Sequence, residues 1–153
     1  MSLMTIRLPL LLLSLGGLLA ACSSAEVPPI IAERQDNLSQ IAGANRGIRD
    51  ELENPEPSIE VIRTNSAILS ELLPQLPTWF PEGTGPETGA ETEALPVIWE
   101  RWSDFEAAHG RAVAAVEALA AAIDTEDLEQ IRTAAGEVGP NCGGCHDTFR
   151  LDD

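Results

Sequence analysis

"VGPNCGGCHDTFR" (Val138 to Arg150) lies at the tail of the chain and holds two of its three cysteines and one of its two histidines. Cys142 and Cys145 are three residues apart and His146 is four beyond Cys142, so on a helix the three share one face. That face runs back through Val138, Ala135, Ile131 and Leu128 and forward to Phe149, in alternating steps of three and four. The spacing predicts a helix from about 128 to 149 that turns two thiols and an imidazole towards a protein core. Pro140 falls inside it and predicts a kink or restart at Gly139-Pro140, because proline removes a helical donor and crowds the preceding turn.

Working back from that helix, the same period recurs. Ile98, Trp102, Phe105, His109, Ala112, Val116, Leu119 and Ile123 form a second stripe of strict four-three spacing. A third runs from about Ile30 to Glu53, with Ile31, Leu38, Ile41, Asn45, Ile48 and Leu52 on one side, and "NPEP" (54–57) ends it. A fourth opens at Ser58, a helix-capping residue type, and lines up Ile62, Asn65, Leu69, Leu72 and Leu76 before Pro77. The segment between, "PTWFPEGTGPETGAETEAL" (77–95), is too dense in Pro, Gly and Thr to be one regular element. Four amphipathic helices with short links and one longer crossover predict an all-α fold, an antiparallel four-helix bundle.

At the opposite end, "MSLMTIRLPLLLLSLGGLLAAC" places an apolar run from Leu8 to Ala21 behind a single Arg. The run is too short to span a bilayer and reads as the core of a signal peptide over residues 1–21. Its exit, Leu19-Ala20-Ala21-Cys22, resembles the lipobox of bacterial lipoproteins, which makes Cys22 a lipidation site and places the mature chain on the periplasmic side. Ser23 after it favours the outer membrane. Residues 22–29 then form a short tether and 30–153 the bundle domain. All 25 acidic residues follow Cys22 while Arg7 precedes it, so loss of the leader takes the formal charge from −16 to −17. Nucleic acid and anionic membrane surfaces are excluded as partners by that charge, leaving the lipid as the only membrane contact; basic protein surfaces are favoured.

Two thiols and a following histidine in the order Cys-x-x-Cys-His form the attachment signature of haem c, in which Cys142 and Cys145 carry the group and His146 ligates its iron. A Cys142–Cys145 disulfide, or a zinc site completed by His109 and carboxylates, are the competing readings. With Cys22 lipidated, the haem reading leaves no cysteine over. The mature chain contains no Met and no Lys, so the one other strong nitrogen ligand is His109, on the core stripe, where a histidine satisfied by a hydrogen bond is the commoner outcome.

These stretches together resemble the cytochrome c′ family: "RQDNL" (Arg34 to Leu38) its first-helix motif, "LPTWFPEGT" (Leu76 to Thr84) its turn, "IWERWSDF" (Ile98 to Phe105) its third-helix opening, and Val138 to Arg150 its haem-binding end. The resemblance implies an antiparallel four-helix bundle with one covalent haem near one end, bordered by Arg34, Gln35 and Phe105. It implies that Leu38 lies over the distal haem face and, being apolar, leaves the sixth iron position open. It further implies that Arg150 stands beside His146 on the proximal side, and that two copies pair through the first two helices as a homodimer. An iron with one strong protein ligand can carry single electrons to redox partner proteins or bind a small diatomic gas such as nitric oxide. Peroxide chemistry would need a distal acid–base pair that is not assignable here, so no enzymatic role is expected.

Overall fold

The computed structural model describes residues 28–151; the expected signal peptide, Cys22 and nearly all of the tether lie outside them. Helix α1, Pro29–Leu52, starts on the Pro28 carbonyl, which accepts from the Ile31 and Ala32 N–H groups, and Pro29 occupies a first-turn position where its missing N–H costs nothing. It ends at the proline-rich link, and Arg132 from the last helix donates to the terminal Leu52 carbonyl. Helix α2, Ile59–Leu72, is capped as its sequence predicts: Ser58 Oγ accepts from the Val61 N–H at 3.4 Å. A 3-10 helix, Leu73–Trp79, follows in place of the continuation to Leu76, since Pro74 and Pro77 both lack donors.

The crossover is fixed by side chains. Gly83 takes the left-handed φ of 78° that the turn after Pro81 requires, and Trp99 Nε1 donates to the Phe80 and Pro81 carbonyls at 3.0 and 3.1 Å. At Gly85 a Cβ would come within 2.8 Å of the Trp99 ring, so the backbone passes that indole only because the side chain is absent.

The third bundle helix is broken. Helix α3, Val97–Glu100, is one turn, and α4, Trp102–Asp124, starts after Arg101, whose φ of −125° and ψ of 48° are not helical. Arg101 serves both sides of the break: its N–H donates to the Val97 carbonyl at 2.9 Å, and its own carbonyl accepts from Asp104 and Phe105. The four-three spacing survives, since Ile98 and Phe105 are both buried.

Helix α5, Leu128–Phe149, begins on Asp127, whose carboxylate accepts from the Glu129 and Gln130 N–H groups. It runs through Pro140 as one helix, without the restart that was one of the two outcomes expected at Gly139-Pro140. The cost of an interior proline, about 3 kcal/mol, is borne by a helix whose Ile131, Val138 and Phe149 are buried.

Helices α1, α2, α4 and α5 contact one another in a ring and form the antiparallel bundle. The start of α1, the end of α2, the start of α4 and the end of α5 therefore meet at one end, together with the crossover. No helix among the described residues is long and apolar enough to cross a membrane.

Candidate functional site

At that end the core does not close. A cavity of about 910 Å³ opens between α1, the crossover and α5. Its apolar wall is a cluster of aromatic edges: Phe105 lies 5.2 Å from Phe80 and 5.4 Å from Phe149, centroid to centroid, both edge-on. Ile98 and half-buried Leu38 complete it.

Cys145 and His146 border this space, with Cys142 one turn back on the same half-buried face of α5, packed against the core. Both thiols are free. Burial raises both above the ordinary thiol range; for Cys145 the neighbouring Cys142 adds to the rise and Arg111 opposes it. His146 is exposed as well as bordering the cavity, yet the desolvation it does undergo is the first cause holding its ring below the ordinary imidazole range. The positive charge of Arg150 is the second cause, and Asp147 and Glu93 oppose it. A depressed pKa favours the neutral ring, the form that ligates a metal.

Arg34 is the notable charge. It is 2% exposed, its guanidinium carbon stands 4.5 Å above the Phe80 ring, and it donates to the Thr84 carbonyl at 3.0 Å, Thr92 Oγ1 at 3.0 Å and Thr84 Oγ1 at 3.4 Å. Burial pushes it below its usual range, with Glu87 pulling the other way. No carboxylate lies within salt-bridge distance of it among the described residues. Those three bonds leave two of a guanidinium's five N–H donors. A buried cation on a cavity wall is matched by a ligand that brings an anion. Next to it, Gln35 Nε2 donates to the Glu91 carbonyl at 2.9 Å.

Of the residues singled out in the sequence, Arg34, Gln35, Leu38, Phe105, Cys145, His146 and Arg150 all border the cavity. Trp102, Asn45 and Asn65 do not. Trp102 packs behind Phe105 at 5.3 Å, and Asn65 bonds its own helix at the Val61 carbonyl, with its side chain against Gly47 of α1. His109 donates from Nε2 to the Leu73 carbonyl at 2.8 Å and is not part of the wall, so it serves the end of α2. Among the described residues no three His, Cys, Asp or Glu side chains gather as a metal site of the zinc kind. Thr92 and Glu93 border the cavity unannounced by any local pattern; Phe149 was visible as the last member of its stripe.

A flat apolar macrocycle with acidic edges suits this space: aromatic walls, two thiols and an imidazole on one helix face, and a buried cation opposite. Fold and site thus define a helical bundle of the covalent-haem class. The sequence profile described as Cytochrome C′ matches residues 29–150, and the chain belongs to that family, which binds one covalently attached c-type haem. It is 42% identical over 91 residues to a cytochrome c′ of Rubrivivax gelatinosus, covering 60% of this chain and 69% of that one. Other curated relatives are matched over slightly less than two thirds of their own length, 64% and 63%. A crystal structure of cytochrome c′ from Rubrivivax gelatinosus superposes with a TM-score of 0.72 at 36% identity, over 79% of this chain and 94% of that one. The nitric oxide complex of a variant cytochrome c prime from Alcaligenes xylosoxidans superposes with a TM-score of 0.72 at 26% identity, over 80% and 94%.

Proposed function

We propose that the chain is a c-type cytochrome whose haem is joined to Cys142 and Cys145, ligated by His146 and open at the sixth position, and that it carries single electrons. The bound haem supplies the one-electron iron couple. The observation that carries this reading is the cavity's donor set: His146 borders it, while His109, the one other histidine, is committed to the Leu73 carbonyl. Leu38 borders the same space with an aliphatic side chain that cannot ligate. Arg34 and Gln35 hold the acidic edge, and Arg150 stands on the His146 side. Peroxide chemistry wants a distal His–Arg pair, and His109 stands outside the cavity wall, so this reading assigns no enzymatic role.

The acidic chain steers basic redox partners, and the family resemblance favours a homodimer through α1 and α2. Residues 1–21 direct export and Cys22 anchors the mature chain by lipid to the periplasmic face of the outer membrane, with 30–153 as its bundle domain. Stopped-flow reduction of the ferric holoprotein by a small basic c-type cytochrome tests the role: the rate falls as salt rises, whereas slow exchange indifferent to salt contradicts it.

A second reading, binding of nitric oxide without a part in a redox chain, is favoured by Leu38 and by the nitric oxide complex solved for the relative. An apolar, confined distal site admits a small neutral diatomic molecule. Leu38→Ala should raise carbon monoxide affinity by removing bulk from that face. Leu38→Met should drive the iron towards six-coordinate low spin. No change in either variant means that another element forms the distal wall.

A further inference from the structure

Where α5 ends, the chain turns back along the crossover. Arg150 has left the helix, with φ −116° and ψ 144°, and pairs antiparallel with Ala94. The Leu95 N–H donates to the Phe149 carbonyl at 3.0 Å and the Leu151 N–H to the Glu93 carbonyl at 2.8 Å. This short ladder sets Glu93 beside Arg150, and Glu93 Oε2 lies 2.8 Å from Arg150 Nε. The crossover is held equally from the other side: Arg34 donates to Thr92 Oγ1, Gln35 donates to the Glu91 carbonyl, and Thr92 Oγ1 also accepts from the Ala94 N–H at 3.2 Å. Residues 91–95 are thus stretched between α1 and α5, and Glu93 is presented on a backbone already ordered on both flanks.

The ion pair is a poor device for stability. Glu93 and Arg150 side chains are 56% and 39% exposed, and a pair so wet contributes little. Its position is what differs from the other ion pairs among the described residues: both partners border the haem cavity with His146, whereas Arg63–Asp124, Arg63–Glu60 and Arg101–Asp104 do not. His146 feels both members, Arg150 lowering its proton affinity and Glu93 raising it.

The geometry points to Glu93 as a positioning residue for the proximal side of the haem: through its ion pair it holds the Arg150 guanidinium beside His146, so that the crossover, and not α5 alone, sets solvent and ligand access to that side. This rests on His146 being the iron ligand. A long arginine side chain that loses one of its contacts is held less firmly in one rotamer, and a guard less firmly held guards less.

The test is the exchange with deuterium of the His146 ring N–H in the reduced holoprotein, followed by its hyperfine-shifted proton resonance. Glu93→Ala should speed exchange several-fold, and Glu93→Gln, which keeps shape and one acceptor, should speed it less. In an Arg150→Ala background neither change should speed it further, because Glu93 acts only through Arg150. No acceleration in the native background, or the same acceleration in both backgrounds, overturns the proposal. Should Glu93→Ala fail to hold haem, the Gln variant decides alone, since its side chain replaces a largely exposed one of equal size. A wild-type resonance pattern lacking a histidine ligand refutes the haem-ligation reading itself, and is told apart because it needs no Glu93 variant.

Discussion

At the end of the bundle where α1 turns into α2 and α4 into α5, Leu52, Ile62, Ile123 and Ile131 are between 0% and 8% exposed, and the groove of about 720 Å³ between α4 and α5 there is lined by none of them. At the other end the same three-four stripes arrive at Leu38, Cys142 and Cys145, all only half buried, around a cavity of about 910 Å³. The period is identical; the side chains are not. Four aliphatic residues each contribute about 1.5–3 kcal/mol when fully buried, and they finish the far core. Two short thiols cannot fill the opposite one, so a bound group must be part of the core there.

The largest expected effect tests that difference at the cavity end. Cys142→Ala combined with Cys145→Ala should abolish covalent haem, seen in the mass of the denatured chain, and lower the melting temperature by many degrees, because a group bound to the native state alone stabilises it by linkage. An unchanged melting temperature with haem lost would break the comparison, since the chain would then finish both ends.

At the far end Ile131→Ala should cost about 2–5 kcal/mol in denaturant unfolding, the range for emptying a closed aliphatic core, and leave the haem spectrum unaltered. A smaller effect is expected where neither end is involved. Gly136 is exposed in the middle of α5 and a Cβ there would meet nothing within 4 Å, so Gly136→Ala should raise stability by about 0.5–1 kcal/mol.

Smallest is the cap of α5. Hydrogen bonds from the Gln130 side chain, then from the Gln130 and Glu129 N–H groups, hold the Asp127 carboxyl below its ordinary value. Its contribution is therefore present above the unfolded pKa and is lost as pH falls through the lower folded one. Asp127→Asn keeps a capping acceptor without the titration, so the stability difference between the two proteins should be constant at neutral pH and change only across that acid window, as the carboxylate contribution is lost.

The bundle was legible because a helix repeats its faces locally, and Cys-x-x-Cys-His is legible because attachment chemistry demands that spacing. What escaped was non-local. Arg34 and Thr84 are 50 residues apart, and neither pattern nor propensity announces that this arginine is buried beneath the crossover rather than solvated. Glu93 reads as one acid among many until the ladder with residues 149–151 sets it on Arg150. The break at Arg101 left no trace in the stripe because Ile98, Trp102 and Phe105 keep their spacing across it. Pro140 read as a kink or a restart, and there is no restart: with Val138 and Phe149 buried on either side the helix continues through it.

One spectrum tests the central claim, that His146 is the only protein ligand in a cavity closed to His109. The ferric and ferrous holoprotein should both be predominantly high-spin by absorption and resonance Raman, and His109→Ala should leave the spin state untouched. A low-spin wild type that becomes high-spin in His109→Ala would contradict the account and make the iron bis-histidine ligated.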